Sequence, residues 1–412
     1  MIRSTILRVA AFALAIAATV AAQDKDEAAV AQANSTFAFD LYARLQAKEG
    51  NLFFSPYSIS TALAMTWAGA RGGTEKEMAA SLRFPFPQDR LHVAMAALLG
   101  DLNGRVVPKR WDDDPNGGRR ALELVVANAL WSQKGYPFKK EYLDTVGKAY
   151  GAGLEELDFA HEAEAARVRI NEWVEGKTNQ RIKDLIQKGQ LSDASRLVLT
   201  NAIYFKAAWK DAFEKQSTKE ADFHLAGGGT KKVQMMHEWA SLGYLDGGAF
   251  EMVEIPYLGD DVAMMVLVPK AAGGLGAVEK ELTGEHLKAW EGKIGWEQVA
   301  LGLPRFQMTC GFELSPELQG LGMKEAFDAA KADFTGMSET KELYIGKVIH
   351  KAFVDVNEAG TEAAAATAVV MEAGCAPAEP RKLEIDRPFL FLIHDRKTGS
   401  VLFVGRVVDP QG

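Results

Sequence analysis

Between Asn357 and Cys375 the chain reads NEAGTEAAAATAVVMEAGC, a run of small residues without proline and with charge confined to Glu358, Glu362 and Glu372. Neither a packed core nor a solvated loop requires such a segment. Helix propensity alone favours a short helix over Thr361–Met371, because four consecutive alanines, Ala363–Ala366, lie inside it. Taken as a strand, the same residues sort by alternation. Thr361, Ala363, Ala365, Thr367, Val369 and Met371 make an uncharged face that begins small and ends larger, whereas Glu362, Ala364, Ala366, Ala368, Val370 and Glu372 hold both carboxylates on the other. A strand of that kind can enter the middle of a sheet with its uncharged face on the core. Every backbone N–H from Thr361 through Ala376 is free for ladder bonds, since proline first occurs at Pro377. Gly360, just before, supplies a pivot. Helix and insertable strand both remain open on propensity, and the parity of the glutamates favours the strand.

The chain has 412 residues, of which 48% are hydrophobic and 25% charged, an ordinary globular composition. Its length favours two domains, since a single core stops growing near ~250–300 residues, yet no linker divides it. Asp114–Gly118, Gly227–Gly229 and Gly273–Gly276 are short and read as surface turns. The N-terminus has the pattern of a secretory signal: basic Arg3 and Arg8, an apolar or small run Val9–Val20, and small residues Val20-Ala21-Ala22 before polar Gln23. The expectation is a leader over 1–22, one domain over 23–412, and a secreted or periplasmic location.

Two cysteines, Cys310 and Cys375, are too few to make the fold disulfide-dependent. Cys310, in an alternating apolar run, reads as a buried thiol, and Cys375 as an exposed one. The net charge of −8 becomes more negative once Arg3 and Arg8 are removed, which argues against nucleic acid as a partner. Lys109, Arg110, Arg119 and Arg120 flank Asp112–Asp114 and read as a self-neutralising loop rather than a polyanion site. Asn34-Ser35-Thr36 fits a glycosylation acceptor. No stretch after the leader is long and apolar enough for a membrane helix.

Helical spacing marks Gln32–Gln46. Ile59–Ala70 is predicted as a second helix, capped by Ser55 with Pro56 in its first turn and ended by Gly72-Gly73. Thr74-Glu-Lys-Glu77 has the form of a capping box. Val168–Val174 is helical. Leu122–Trp131, Arg196–Phe205, Val262–Val268, Val299–Phe306, Phe353–Val356, Leu383–Ile385, Phe389–His394 and Val401–Val407 read as strands. Helices first and strands later indicate an α+β protein.

Catalytic patterns are missing. No Gly-x-Ser-x-Gly elbow occurs, and His161-Glu162 and His237-Glu238 lack the second histidine of a zinc-protease helix. Gly176-Lys177-Thr178 lacks the first glycine of a phosphate loop. The seven histidines have no metal-ligand spacing. The expectation is therefore no enzyme, no metal and no cofactor.

Glu358–Thr367, EAGTEAAAAT, closely resembles the hinge of inhibitory serpins, and Leu383–Ile393 resembles the signature of that family. Asn51–Ile59, Gly69–Gly72, Leu199–Phe205 with Trp209, Leu303–Phe306, Leu321–Met323 and Val404–Pro410 resemble serpin segments in serpin order. The resemblance covers essentially all of the chain after the leader. It implies a fold of three β-sheets and eight or nine helices, with an exposed reactive-centre loop over about 358–382. It implies a suicide substrate that a serine protease cleaves, and that traps the acyl-enzyme covalently as the loop inserts into the main sheet. A cysteine protease is the second class of partner. A monomer with a tendency to polymerise is expected.

By the same resemblance the hinge is Glu358, Gly360, Thr361, Glu362, Ala363, Ala364, Ala365, Ala366 and Thr367. Trp209 matches the tryptophan where insertion begins, and Ser55, Ser58, Asn201 and His350 match the polar cluster over which the sheet parts. Counting from the hinge places the reactive bond at Gly374–Cys375, with Ala373 and Glu372 as alternatives. Small residues there suit elastase-like or subtilisin-like proteases. A non-inhibitory carrier, chaperone or interaction protein is the alternative function.

Overall fold

The computed structural model describes residues 2–104, 122–151, 154–361 and 380–411. Nine α-helices occur among them: α1 Ile2–Leu45, α2 Pro56–Trp67, α3 Gly72–Ser81, α4 Gln88–Gly104, α5 Lys140–Tyr150, α6 Phe159–Lys177, α7 Leu275–Glu281, α8 Gly284–Glu291 and α9 Ser315–Gly320. The strands are β1 Leu52–Phe54, β2 Leu122–Gln133, β3 Leu154–Leu157, β4 Leu197–Ala208, β5 Lys219–His224, β6 Thr230–Asp246, β7 Phe250–Pro256, β8 Val262–Pro269, β9 Gly295–Pro304, β10 Phe306–Glu313, β11 Ile349–Asn357, β12 Gly360–Thr361, β13 Arg381–Glu384, β14 Phe389–Asp395 and β15 Val401–Val407. The architecture is α+β, as the segregation of patterns indicates. No helix among the described residues is long and apolar enough to cross a membrane.

The strands hydrogen-bond into a six-stranded sheet, β10-β11-β12-β4-β2-β3, and a nine-stranded network, β1-β15-β14-β8-β7-β6-β9-β13 with β5 on β6. The larger network is two sheets joined by one long strand. The first part of β6 pairs with β5 and β9, and its last residues, Gly243–Asp246, pair with β7. Counted that way the expected three sheets are present.

Every residue of β8, β14 and β15 is buried, as is every residue of α2. Their near-continuous apolar sequences leave no face for water, so the strands must lie between layers. Phe53 stacks on Phe403 at 5.1 Å, Phe403 meets Phe205 of β4 at 5.5 Å, and Phe205 meets Tyr257 at 5.2 Å. This aromatic column ties the two sheet systems together. A smaller apolar cluster, built on Trp131, Phe159, Ile170 and Phe353, fixes α6 to the other face of the six-stranded sheet.

Three local expectations are corrected. α2 already ends at Trp67, and Gly72-Gly73 opens α3 instead of closing α2. Thr74 and Glu77 do not form a capping box: Thr74 Oγ1 accepts from the Asp333 amide at 3.0 Å, and Glu77 Oε2 accepts from the amides of Lys324 and Glu325. Both side chains fasten distant segments to α3 and leave its N-terminus without a side-chain cap. Asn34 is buried, and its Nδ2 donates to the Val401 carbonyl at 2.8 Å, so it is not free to carry a sugar. Ser55 does cap α2, accepting from the Ser58 amide at 3.1 Å.

Gly405, opposite Phe391 and Phe53, has no room for a side chain: a Cβ would lie 2.1 Å from the Phe391 ring. Gly405→Ala is expected to cost about 1–3 kcal/mol through overpacking, read as a lowered thermal midpoint of the intact protein.

Candidate functional site

The chain doubles back at the end of β11. Asn357 Oδ1 accepts from the Ala359 amide at 3.1 Å, closing the turn, and Gly360–Thr361 then run back between β11 and β4. Thr361 sits between Val356 and Ala207, and Gly360 between Asn357 and Ala208. Gly360 is required here, since its φ is +146° and a Cβ would meet the Ala207 carbonyl at 2.1 Å. Thr361 is fully buried, and its hydroxyl lies 2.7 Å from that of Tyr257.

Two further contacts hold the turn. Trp209 stacks on Tyr257 at 4.5 Å and donates from Nε1 to the Asn357 carbonyl at 2.9 Å, while its backbone amide donates to the Ala359 carbonyl. Glu358 is 2% exposed, 2.7 Å from the Arg305 guanidinium, and accepts from the Thr218 hydroxyl at 2.7 Å. A buried carboxylate is costly without such partners.

Beyond the turn, β4 and β11 run parallel but share few rungs. The ladder joins only His350 to Asn201, Lys351 to Ala202 and Ala352 to Ile203. Between this ladder and Thr361, residues 353–355 and 204–206 face each other with no ladder across. On the far side of His350 the strands part around a cavity of about 240 Å³, lined by Leu197, Val198, Leu199, Phe334, Met337 and Ile345 among others.

The three-rung ladder is locked by a buried polar cluster. His350 Nδ1 meets Asn201 Oδ1 at 2.7 Å, and His350 Nε2 meets the Ser55 amide at 3.1 Å. The amide can only donate, so Nε2 carries no proton and Nδ1–H donates to Asn201. Asn201 Nδ2 donates to the Ser58 carbonyl at 2.6 Å and to Asn128 Oδ1 at 2.7 Å, and Ser55 Oγ donates to the Leu402 carbonyl at 2.7 Å. Burial pushes the His350 pKa down to about 3. The cluster therefore joins β11, β4 and β2 to α2 and β15 through neutral hydrogen bonds.

The structure brings Ser55, Ser58, Asn201 and His350 together, and separately joins Trp209, Glu358, Gly360 and Thr361. The hinge residues Glu362, Ala363, Ala364, Ala365, Ala366 and Thr367, and the candidate bond residues Glu372, Ala373, Gly374 and Cys375, lie outside the described residues, as do Lys109–Asp114, Arg119 and Arg120. Cys310 is partly buried on β10, and burial raises its thiol to about 11. No group of three or more metal-ligating side chains forms among the described residues. Sequence reasoning missed Arg305, Thr218, Tyr257 and Asn128. Asn128 had a visible signal, as a lone amide inside an apolar strand. Arg305 lies inside the resembling segment Leu303–Phe306, but its pairing had no signal, because its partner is 53 positions away along the chain.

The family model for Serpin (serine protease inhibitor) matches residues 32–410. An uncharacterized serpin-like protein of Thermococcus kodakarensis is 40% identical over 392 residues, covering 94% of this chain and 88% of that one. The human leukocyte elastase inhibitor is 37% identical, covering 92% of this chain and 99% of its own length. The crystal structure of human thyroxine-binding globulin superposes with a TM-score of 0.82 at 30% identity, over 94% of this chain and all of that one. A parting main sheet flanked by a second sheet system defines the fold class, and the chain belongs to the serpin family.

Two outcomes follow. Between the ordinary histidine pKa near ~6.5 and about 3 in the fold, the unfolded chain binds the extra proton. His350 therefore favours the folded state fully above pH ~6.5, and that contribution is lost as pH falls toward 3. The thermal midpoint of the wild type should drop more steeply over this window than that of His350→Gln. Glu358→Lys sets two cations beside each other at the turn. It should lower the midpoint and speed self-association on mild heating, measured by light scattering.

Proposed function

We propose that this chain is a suicide-substrate inhibitor of serine proteases that traps its target by inserting its own loop between β4 and β11. The observation that carries the reading is β12, whose two residues already pair with both strands. Continuing its register one residue at a time sets Glu362 to Ala364 into the three open levels. Thr367 would then come to lie between His350 and Asn201. The hydrogen bond joining those residues must break for the strand to pass, and the threonine hydroxyl offers a replacement partner. Farther on, Val369 and Met371 would reach the cavity lined by Leu197, Leu199 and Ile345. The gradient from small to larger along the uncharged face thus follows the slot from its narrow part to its empty foot.

In this scheme the protease serine attacks the carbonyl of the residue before the cut bond. Gly374–Cys375 is favoured, with Ala373 and Glu372 as alternatives. The bond to the following residue breaks, the new amine leaves with the C-terminal piece, and an ester joins the loop to the protease. Insertion of residues 360–374 moves that ester on the order of 50 Å at ~3.3 Å per residue. The drive is the gain of ladder bonds and apolar burial in an under-filled sheet. No Arg or Lys lies from Ala352 through Pro380, so elastase-like or subtilisin-like serine proteases fit best, with cysteine proteases second. Residues 1–22 act as a leader for a secreted or periplasmic protein. The open slot gives the monomer its tendency to polymerise, since it accepts a neighbour's loop.

The test is incubation with pancreatic elastase, subtilisin, chymotrypsin and a glutamate-specific protease, followed by denaturing gels and mass analysis of the released peptide. A protease adduct that survives denaturation is expected from at least one. Nicking without any adduct, and an unchanged thermal midpoint after nicking, would favour the carrier reading. Thr361→Arg places a charge where the hydroxyl is already fully buried between β4 and β11, which costs several kcal/mol and expels the two-residue strand from which insertion would proceed. Cleavage should persist in this variant while the adduct is lost, raising the stoichiometry of inhibition at least tenfold.

A further inference from the structure

Two of the five large apolar side chains exposed among the described residues lie on one small face. Trp239 of β6 is 54% exposed and Trp296 of β9 is 47% exposed. Trp296 lies opposite Gly243, four residues along β6 from Trp239, so both rings project from the same side of the pair. Ala300 lies opposite Trp239 and beside Lys382 of β13, which extends this face by one strand. Ser241, Gln298 and Lys382 are exposed around it, and the Arg396 guanidinium sits 5.4 Å from the Trp296 ring. The tryptophans are roughly 14 Å apart, from four residues along one strand and one strand spacing across.

Isolated exposed apolar residues are common, but two half-exposed tryptophans on one sheet face have the composition of an interaction hot spot. The place of this face in the chain identifies its occupant. β13 begins at Arg381, six residues after Cys375, so a protease holding the candidate bond is tethered within roughly 20 Å of β13. A protease of ~230 residues has a radius of that same order, about 20 Å. The area argues in the same direction. Two half-exposed tryptophans offer roughly 250 Å², far below the ~800 Å² per partner of a stable dimer. A partner already tethered through the loop needs no more, because its effective concentration at the face is high.

We propose that the Trp239–Trp296 face is an accessory docking surface for the body of the attacking protease, apart from the loop that it cleaves. The proposal rests on the inhibitory reading. It assigns part of target selection to a sheet surface and makes inhibition faster than cleavage of the loop sequence alone would allow.

The test compares wild type with Trp239→Ala/Trp296→Ala and with Ser241→Arg, which adds bulk to the face and removes no packing. Second-order rate constants for adduct formation with pancreatic elastase and subtilisin are measured beside the thermal midpoint and the stoichiometry of inhibition. Cleavage of a free peptide spanning residues 368–380 provides the loop-only rate. Both variants are expected to react about tenfold more slowly with at least one protease, with midpoint and stoichiometry unchanged. Equal rates for wild type and both variants, with adducts still formed, would overturn the docking face and leave the inhibitory reading intact. Sedimentation showing a wild-type dimer that both variants lose would assign the face to a second copy and overturn it. If the wild type forms no adduct with any protease, the inhibitory reading falls and the docking face with it.

Discussion

β4 and β11 are held side by side by three rungs of ladder and one buried hydrogen bond between His350 and Asn201. Much of the molecule is arranged around that thin seam. Parallel strands in a mature sheet bond along their length, and buried backbone groups left unpaired are costly. Here two residues fill one end of the gap, three levels follow without a ladder, and a cavity lies at the other end. The neutral histidine suits this seam. Its two nitrogens satisfy one donor and one acceptor from different elements, and burial removes the charged state that would leave an N–H facing the Ser55 amide.

The rest of the core is built in the opposite manner. β8, β14, β15 and α2 bury every residue, and the column from Phe53 through Phe403, Phe205 and Tyr257 to Trp209 packs ring against ring. Aromatic packing of this kind deforms little. The column rises beside the seam and meets the turn through Trp209 and through the Tyr257–Thr361 hydroxyl contact. A rigid wall therefore stands against a thinly bonded joint, and the turn is fixed to the wall. The Glu358–Arg305 pair adds an electrostatic tie from the first residue of β10's approach, at the partly exposed rim.

Much of this was legible in the sequence. The alternation in Thr361–Met371 pointed to a strand with a sheet to enter, and the structure places its first residue, Thr361, in a ladder on both sides. Ser55-Pro56 announced the α2 terminus because capping is a local interaction. The failures have a non-local cause. Thr74 and Glu77 have capping spacing, but their oxygens are bound to amides of residues 324, 325 and 333, which no short window can reveal. β6 escaped recognition because its seventeen residues lie partly in a two-sided, half-exposed region, where the apolar alternation that marks a strand is diluted. Tyr257 and Arg305 needed the folded contacts before either could be connected with Thr361 or Glu358.

The two-residue strand Gly360–Thr361 has a kinetic consequence. Starting a new strand inside a sheet is the slow part, because chain entropy is spent before ladder bonds repay it. In this protein that nucleus exists at rest, with its register already chosen. Any later entry of the chain is elongation, like a zipper whose first teeth are engaged, and in the proposed inhibitory scheme the race against ester hydrolysis would begin with its slowest step complete.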